Sequence, residues 1–542
     1  MKKYLLLYTF IFALFTGCED DVLNKLPENK YSDATVWSNP DLIQLYVNQL
    51  YSAWEMNTSN YYDYLSDDLC PSTKSSTYLN INQDLIDNTF NAGWNFTKIR
   101  VANKVIANLT ENTTFDQDQK DFLLGQAYYF RGTYYFELVK KFGGVVLLDK
   151  PLDASDDLNL SRASDESSWE FVINDFKKAA SLLENNVGQK TRVTKGACLA
   201  MQMRSELYAG KYEDVKTTYN IIKNLGYGLH DTYGPIWKDP TTWKTSVEVL
   251  AGMEYVLKEK NNGWTSAHMT QSYDSDLSGG GGGGVSFNHT QIYYVIDEDG
   301  VARSWDESNH KQNTNVADGV YQYLYGNREV RFNENVLSDG ETVMGYTFEF
   351  NVGGKNSGQS QFDPPMFHSH VSHVNTGNMI QKFMGDDPQY VPHTQKNCDL
   401  PSIVIRYAEV LLNYAEACIM LNDLDEARAV INRIRTRAQI PILETNENLK
   451  EEYKLERRKE MAFEGHRYWD LLRWAKQEGN TMINELNTRL KWLCINSDRT
   501  AFVVVDSDGP KWNRVWNPRR FLWPIPFSEI EYNPNLIQNP GW

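Results

Sequence analysis

Positive charge is in short supply. Among 542 residues, 54 Lys and Arg stand against 71 Asp and Glu, a formal charge of −17. Binding to nucleic acid needs clustered Lys and Arg to neutralise phosphate, so this balance argues against it as the main partner. Cysteine is scarce too: Cys18, Cys70, Cys198, Cys398, Cys418 and Cys494 show no CxxC spacing. They therefore offer neither a zinc site nor an evident disulfide framework, and Cys198 and Cys418, inside apolar helical patterns, read as core residues. After Phe15 no run is long and apolar enough to span a bilayer. GxSxG is missing, which removes the usual serine-nucleophile signature. What the chain does have is a 41% hydrophobic composition with 15 Trp, 32 Tyr and 23 Phe, enough for a large core and for three to four domain-sized units by length. Much of the aromatic load lies outside the helical stretches, among Asn, Asp and Gly. Such loops suit stacking on neutral, hydroxylated ligands such as sugars.

Lys2 and Lys3 precede an apolar run from Tyr4 to Phe15 that ends in Phe15-Thr16-Gly17-Cys18. This reads as a secretory signal with a lipobox-like end, so that residues 1–17 are removed and Cys18 is acylated. Glu19, Asp20 and Asp21 follow, either a surface-export tag or a solvated linker.

In the body, Asn39 can cap and Pro40 can start a helix carrying Leu42, Ile43, Tyr46, Leu50, Tyr51 and Trp54. A second helix carries Ile99, Ala102, Val105, Ile106 and Leu109. The third runs from about Gln119 to Phe142, with Phe122, Ala127, Phe130, Tyr134 and Leu138 as apolar positions, and stops at Gly143-Gly144. The fourth follows Ser168. Two later segments repeat each other at an offset of 212: Leu207 to Val215 aligns with Ile419 to Ala427. Each is the middle of a helix, turn, helix unit with Gly210 or Asn422 at the turn, the grammar of tetratricopeptide-type pairs. The units are dispersed, so helical pairs must assemble from distant parts of the chain.

Between about Asn261 and Gln395 the helical period is lost. Short alternations such as Gly345 to Phe350 read as strands or loop ribbons. The glycine run Gly279 to Gly284 lacks a following GK[ST] and reads as a loop tip, and His368, His370 and His373 lack an HExxH and read as loop residues, not metal ligands. For a sugar site the candidates are Asp67, Asp68, Lys74 and Tyr78 in the segment Tyr61 to Tyr78. In the irregular region they are Trp264, Tyr273, Trp305, Asn309, Tyr321 and Tyr323. Glu456, Glu460 and Glu464 lie four apart if helical, with His466 facing Asp470, which raises acid–base chemistry. The interleaved Arg457, Arg458, Arg467 and Arg473 favour arginine–carboxylate locks between helices.

Several blocks resemble the SusD/RagB family of surface nutrient-binding lipoproteins. They are Gly125-Gln126-Ala127-Tyr128-Tyr129-Phe130-Arg131 through Phe142-Gly143-Gly144, Ile405 to Ala417, Ile431 to Ala438, Glu456 to Glu460, Phe463 to Leu471, Pro524-Ile525-Pro526 and Gln538 to Trp542. Val146 departs from the proline usual there. The resemblance implies a mainly α fold with four tetratricopeptide-like helix pairs and an irregular loop-rich region with short strands. It divides the chain into a signal peptide (1–17), an anchor and linker (18–38), an N-terminal helical part (39–260), a ligand-binding insert (261–395) and a C-terminal helical part (396–542). It further implies an extracellular, lipid-anchored position at the outer membrane, no catalysis, no cofactor, and delivery of oligosaccharide or polysaccharide to a SusC-like TonB-dependent transporter. Peptide binding as in the RagB branch, or a surface glycoside hydrolase, are the alternatives.

Overall fold

The computed structural model describes residues 33–57, 60–71, 76–153, 155–257, 259–260, 262, 284–367, 374–387, 398–507 and 509–542. The expectations for Cys18, Lys74, Trp264, Tyr273, the three histidines and the glycines up to 283 lie outside these residues.

Ten helices of nine or more residues carry the described part. Helix α1 (Pro40–Asn48) starts where expected: Asn39 accepts from the backbone N–H groups of Asp41 and Leu42. It does not run on to Trp54. The chain tightens into a 3₁₀ turn at Gln49–Tyr51 before a further short helix, Ser52–Asn57. Helix α2 (Thr97–Glu111) buries Ile99, Ala102, Val105, Ile106 and Leu109, the predicted stripe. Helix α3 (Gln117–Phe142) is capped by Asp116 and ends at Gly143, whose φ of 70° suits a residue without a Cβ. Phe122, expected on the apolar face, is 41% exposed, because Leu123 and Leu124 take the seam against α1 and α2. Helix α4 (Asp165–Leu182) starts ahead of the predicted position. Ser164 supplies the cap, while the buried Ser168 hydroxyl accepts from the Val145 N–H and ties the helix to the chain after α3.

The repeated units are α5 (Lys195–Tyr208) with α6 (Tyr212–Ile222) and α7 (Tyr407–Met420) with α8 (Leu424–Arg437). Gly210 and Asn422 both take the left-handed conformation, at φ 72° and 60°. The units pack against each other: the Tyr219 and Tyr414 rings stack at 3.8 Å, and Arg204 forks Glu409 through two contacts of 2.6 Å. With α2–α3 and α9–α10 they make four pairs of consecutive helices joined by short turns, α9 being Leu449–Glu460 and α10 Arg467–Glu478. Glu464 does not continue the face of Glu456 and Glu460. The helix stops at Glu460, and Phe463 (φ 63°) and Gly465 (φ 79°) turn the chain before α10. Cys70, Cys198, Cys398, Cys418 and Cys494 are free and buried.

Inside α5, Glu206 is fully buried and accepts from Gln202 Nε2 and Thr218 Oγ1. Burial pushes its carboxyl up to about 7 from the ordinary 4.5, against the pull of those two hydrogen bonds. A raised folded-state value means that the associated stability is fully present below pH 4.5 and is lost as pH rises towards 7. Glu206→Gln is expected to stabilise the protein by about 2 to 3 kcal/mol above pH 7 and to be neutral near pH 4. Urea denaturation at the two pH values checks this, and an equal effect at both would contradict the assignment.

Short antiparallel two-stranded ribbons join the rest. Leu69–Cys70 pairs with Gly284–Val285, Val249–Met253 with Ser402–Arg406, Val336–Ser338 with Asn378–Ile380, and Lys491–Ile495 with Phe502–Asp506. The irregular region is clamped to the helices by buried ion pairs. Arg331, which also contacts Glu329 (2.7 Å), reaches Glu456 of α9 (2.6 Å), and Lys382 reaches Glu464 (2.6 Å), while outside that region Arg406 bridges Glu248, Glu460 and Glu464. The sequence cluster at 456–473 is therefore a set of arginine–carboxylate locks, each of its carboxylates held by a cation.

Candidate functional site

The segment from Tyr62 to Tyr78 and the irregular region meet at the Leu69↔Val285 pairing. Beneath it, the Ser286 hydroxyl donates to the Asp67 carbonyl, and the Ser286 N–H donates to that of Asp68. The side chains of both aspartates turn inward. Asp67, 7% exposed, is held by Arg458 at 2.8 Å and Arg467 at 2.9 Å, and Asp68 by Arg458 at 2.7 Å and His289 Nδ1 at 2.9 Å. Burial would raise both carboxyls, yet the facing arginines, with His289 beside Asp68, hold them below the usual range. Asp67 thus faces cations of α9 and α10 instead of solvent and ties the strand Leu69–Cys70 to those helices.

Tyr62, Leu65, Thr77 and Tyr78, from the same stretch of chain, line a cleft of about 890 Å³ whose aromatic wall is Tyr62, Tyr78, Phe90, Tyr134 and Trp523. That volume suits a small ligand. Phe90 leans on Trp523 with ring centroids 5.7 Å apart, and Tyr78 on Tyr64 at 5.6 Å. The polar side is a loop of local turns: Asn91 Oδ1 accepts from the Gly93 N–H, where φ is 93°, and Asn95 Oδ1 accepts from the Thr97 N–H at the start of α2. Each turn uses the amide oxygen and directs an exposed asparagine to the rim. Lys141 donates to the Ala92 carbonyl at 3.3 Å and pins the loop to α3. Burial pushes the Tyr62 phenol up to about 12, so it stays protonated and able to donate.

The remaining candidates gather on one lobe of the irregular region. Trp305 Nε1 donates to the Tyr323 carbonyl at 3.2 Å, the two rings meet edge to face at 5.4 Å, and Lys311 lies 3.9 Å above the indole. Tyr323 packs on Phe502, while the Tyr321 hydroxyl donates to Glu341. Asn309 is exposed, its backbone N–H donating to Asp297. Tyr78, Trp305, Tyr321 and Tyr323 are half-buried around one hydrophobic cluster, and Tyr78 also packs on the main helical core. Tyr78 therefore joins the lobe to the cleft. Phe90, Asn91, Asn95 and Trp523 were not among the sequence candidates. The alternation Phe90-Asn91-Ala92-Gly93-Trp94-Asn95-Phe96 meets the same aromatic and amide criterion and could have marked the loop.

Among the described residues, no group of three or more His, Cys, Asp or Glu is arranged to hold a metal ion, and no helix is long and apolar enough to cross a membrane.

Comparison with known proteins covers nearly the whole chain. Residues 247–542 match the family described as the SusD family, and residues 21–207 match one described as starch-binding associating with outer membrane. SusD-like protein P38 of Formosa agariphila is 24% identical, with 99% of each chain covered. A SusD-like protein structure from Bacteroides fragilis superposes with a TM-score of 0.78 at 28% identity, over 96% of this chain and 100% of that one. A SusD-like carbohydrate binding protein from the same species gives 0.74 at 21% identity, over 93% and 100%.

Proposed function

The chain belongs to the SusD family, and we propose that it is a lipid-anchored protein of the outer-membrane surface that captures oligosaccharide or polysaccharide and passes it to a SusC-like TonB-dependent transporter. The observation that carries this reading is the cleft, where the half-buried faces of Tyr78 and Phe90 stand beside exposed Asn91 and Asn95 on a rigid helical body. Aromatic faces stack on the apolar faces of sugar rings, and amides pair with their hydroxyls. The carboxylates of the 456–464 region, which raised acid–base chemistry, are held by arginine and lysine and do not line the cleft, whose Glu137 is paired with Lys140 and Lys141, so binding without cleavage is the reading we favour. The Cys18 anchor and the transporter partnership rest on the sequence motif and the family, and the carbohydrate ligand is further supported by the carbohydrate-binding neighbour of the same fold.

The test is a titration of residues 19–542 against plant, host and microbial polysaccharides and a protein digest, by affinity gel and calorimetry. A glycan bound and left intact is the expected result. Binding to peptides alone would place the protein with the RagB branch, and degradation of a bound glycan would make it a hydrolase. Against the retained glycan, Phe90→Ala and Trp305→Ala are each expected to weaken binding by about 1 to 3 kcal/mol, the range for stacked rings and buried anchors. An unchanged affinity would remove that ring from the site.

A further inference from the structure

The cleft is continued by a second groove. Ser52 and Glu55, on the short helix Ser52–Asn57, line the cleft and also a neighbouring groove of about 540 Å³. Across this shared ridge, Lys98 of the cleft donates to the backbone carbonyl of Gln49, which lines the second groove, at 3.1 Å. The two depressions are thus braced against each other at a fixed spacing.

The lining of the second groove is hydrogen-bonding and close to charge-balanced. Arg192 donates to Asn48 Oδ1 at 2.7 Å and lies 5.2 Å over the Tyr51 ring, two contacts that hold its guanidinium at the wall. Lys260 is the second cation, and Glu55 and Glu254 are the anions, Glu254 paired with Lys244 at 2.5 Å. Amides, hydroxyls and balanced charge fit the same neutral, hydroxylated polymer as the cleft, whereas a polyanion would need a cationic surplus.

Resting on the proposed glycan cleft, we infer that the two grooves form one track across the Ser52–Glu55 ridge that holds consecutive stretches of a single polysaccharide chain. The protein then selects long chains over mono- and disaccharides, because a ligand must cross the ridge to gain the contacts of Gln49, Arg192 and Lys260. Linking two subsites through one chain makes the second contact intramolecular, which raises affinity steeply with length.

The experiment is calorimetric titration of residues 19–542 with oligosaccharide ladders cut from starch and from laminarin, from the disaccharide upward. For the ladder that binds, affinity is expected to rise about tenfold or more once the chain is long enough to cross the ridge, and Gln49→Ala with Arg192→Ala should remove that increment while short members stay within about twofold. Affinity independent of length, or a double variant that leaves the longest members unchanged, overturns the track. Lys260→Ala, at an exposed position, repeats the test should the double variant fold poorly. Phe90→Ala separates the two readings: no effect at any length sinks the cleft itself, while a loss at every length alongside a silent double variant sinks the track alone. Binding of neither ladder at any length counts against both.

Discussion

Glu460→Ala is expected to lower stability by about 3 to 5 kcal/mol, the cost of removing one partner from a buried ionic cluster. Glu460 is fully buried and faces three guanidiniums: Arg406 at 2.6 Å, Arg331 at 3.5 Å, and Arg437. With the carboxylate gone, these three cations share the remaining Glu248, Glu329, Glu456 and Glu464, and none can reach water. The pH dependence follows in sign. Burial alone would raise the Glu460 carboxyl, but Arg437, Arg406 and Arg331 hold it far below its ordinary 4.5. A depressed value contributes stability above pH 4.5 that is lost as pH falls through the folded-state value. The isosteric Glu460→Gln should therefore cost most at pH 7 and progressively less in strong acid. Urea midpoints at neutral pH and near pH 3 check both statements, and a midpoint unchanged by Glu460→Ala would show that the cluster does not hold the fold together.

Cys18→Ala, made behind a signal peptide that is cut without acylation so that the apolar run Tyr4–Phe15 is still removed, is expected to release the protein from membranes altogether. Each buried CH₂ of an acyl chain contributes about 0.8 kcal/mol, so in the proposed anchor multiple acyl chains at Cys18 would hold a large acidic body firmly, and their loss would leave it unanchored. No helix among the described residues could take over the anchoring. Cell fractionation with blotting reads the result, and full membrane attachment of the variant would refute the anchor.

The scaffold was legible from sequence because helices advertise themselves locally. The Asn39-Pro40 start, the stripe from Ile99 to Leu109, and the matched turns at Gly210 and Asn422 depend on neighbours within a few residues, and each was found in place. Misreadings arose where a tertiary partner decided the outcome. Ser168 looks like a cap, but its hydroxyl serves Val145, and Ser164 caps instead. Glu464 lies in register with Glu456 and Glu460 only if the helix continues, and Phe463 and Gly465 end that register. Asp67 has the composition of a sugar contact, yet its partners, Arg458 and Arg467, lie nearly four hundred residues away. The aromatic lobe was legible as a group of neighbours, since Trp305 meets Tyr323 and Tyr321 packs on the same hydrophobic cluster. The cleft was not, because Phe90 and Trp523 come from opposite ends of the chain.

Under the proposed surface location, the stacking of Tyr219 on Tyr414 also bears on the order of events during export. Helices α5 and α6 bury their shared face against α7, which emerges some two hundred residues later. Contacts of such long range reward the chain only after a large loop has been closed. On that proposed route, a polypeptide entering a secretion channel amino end first cannot complete its N-terminal half until α7 has followed, so the half that emerges first stays unfinished until then.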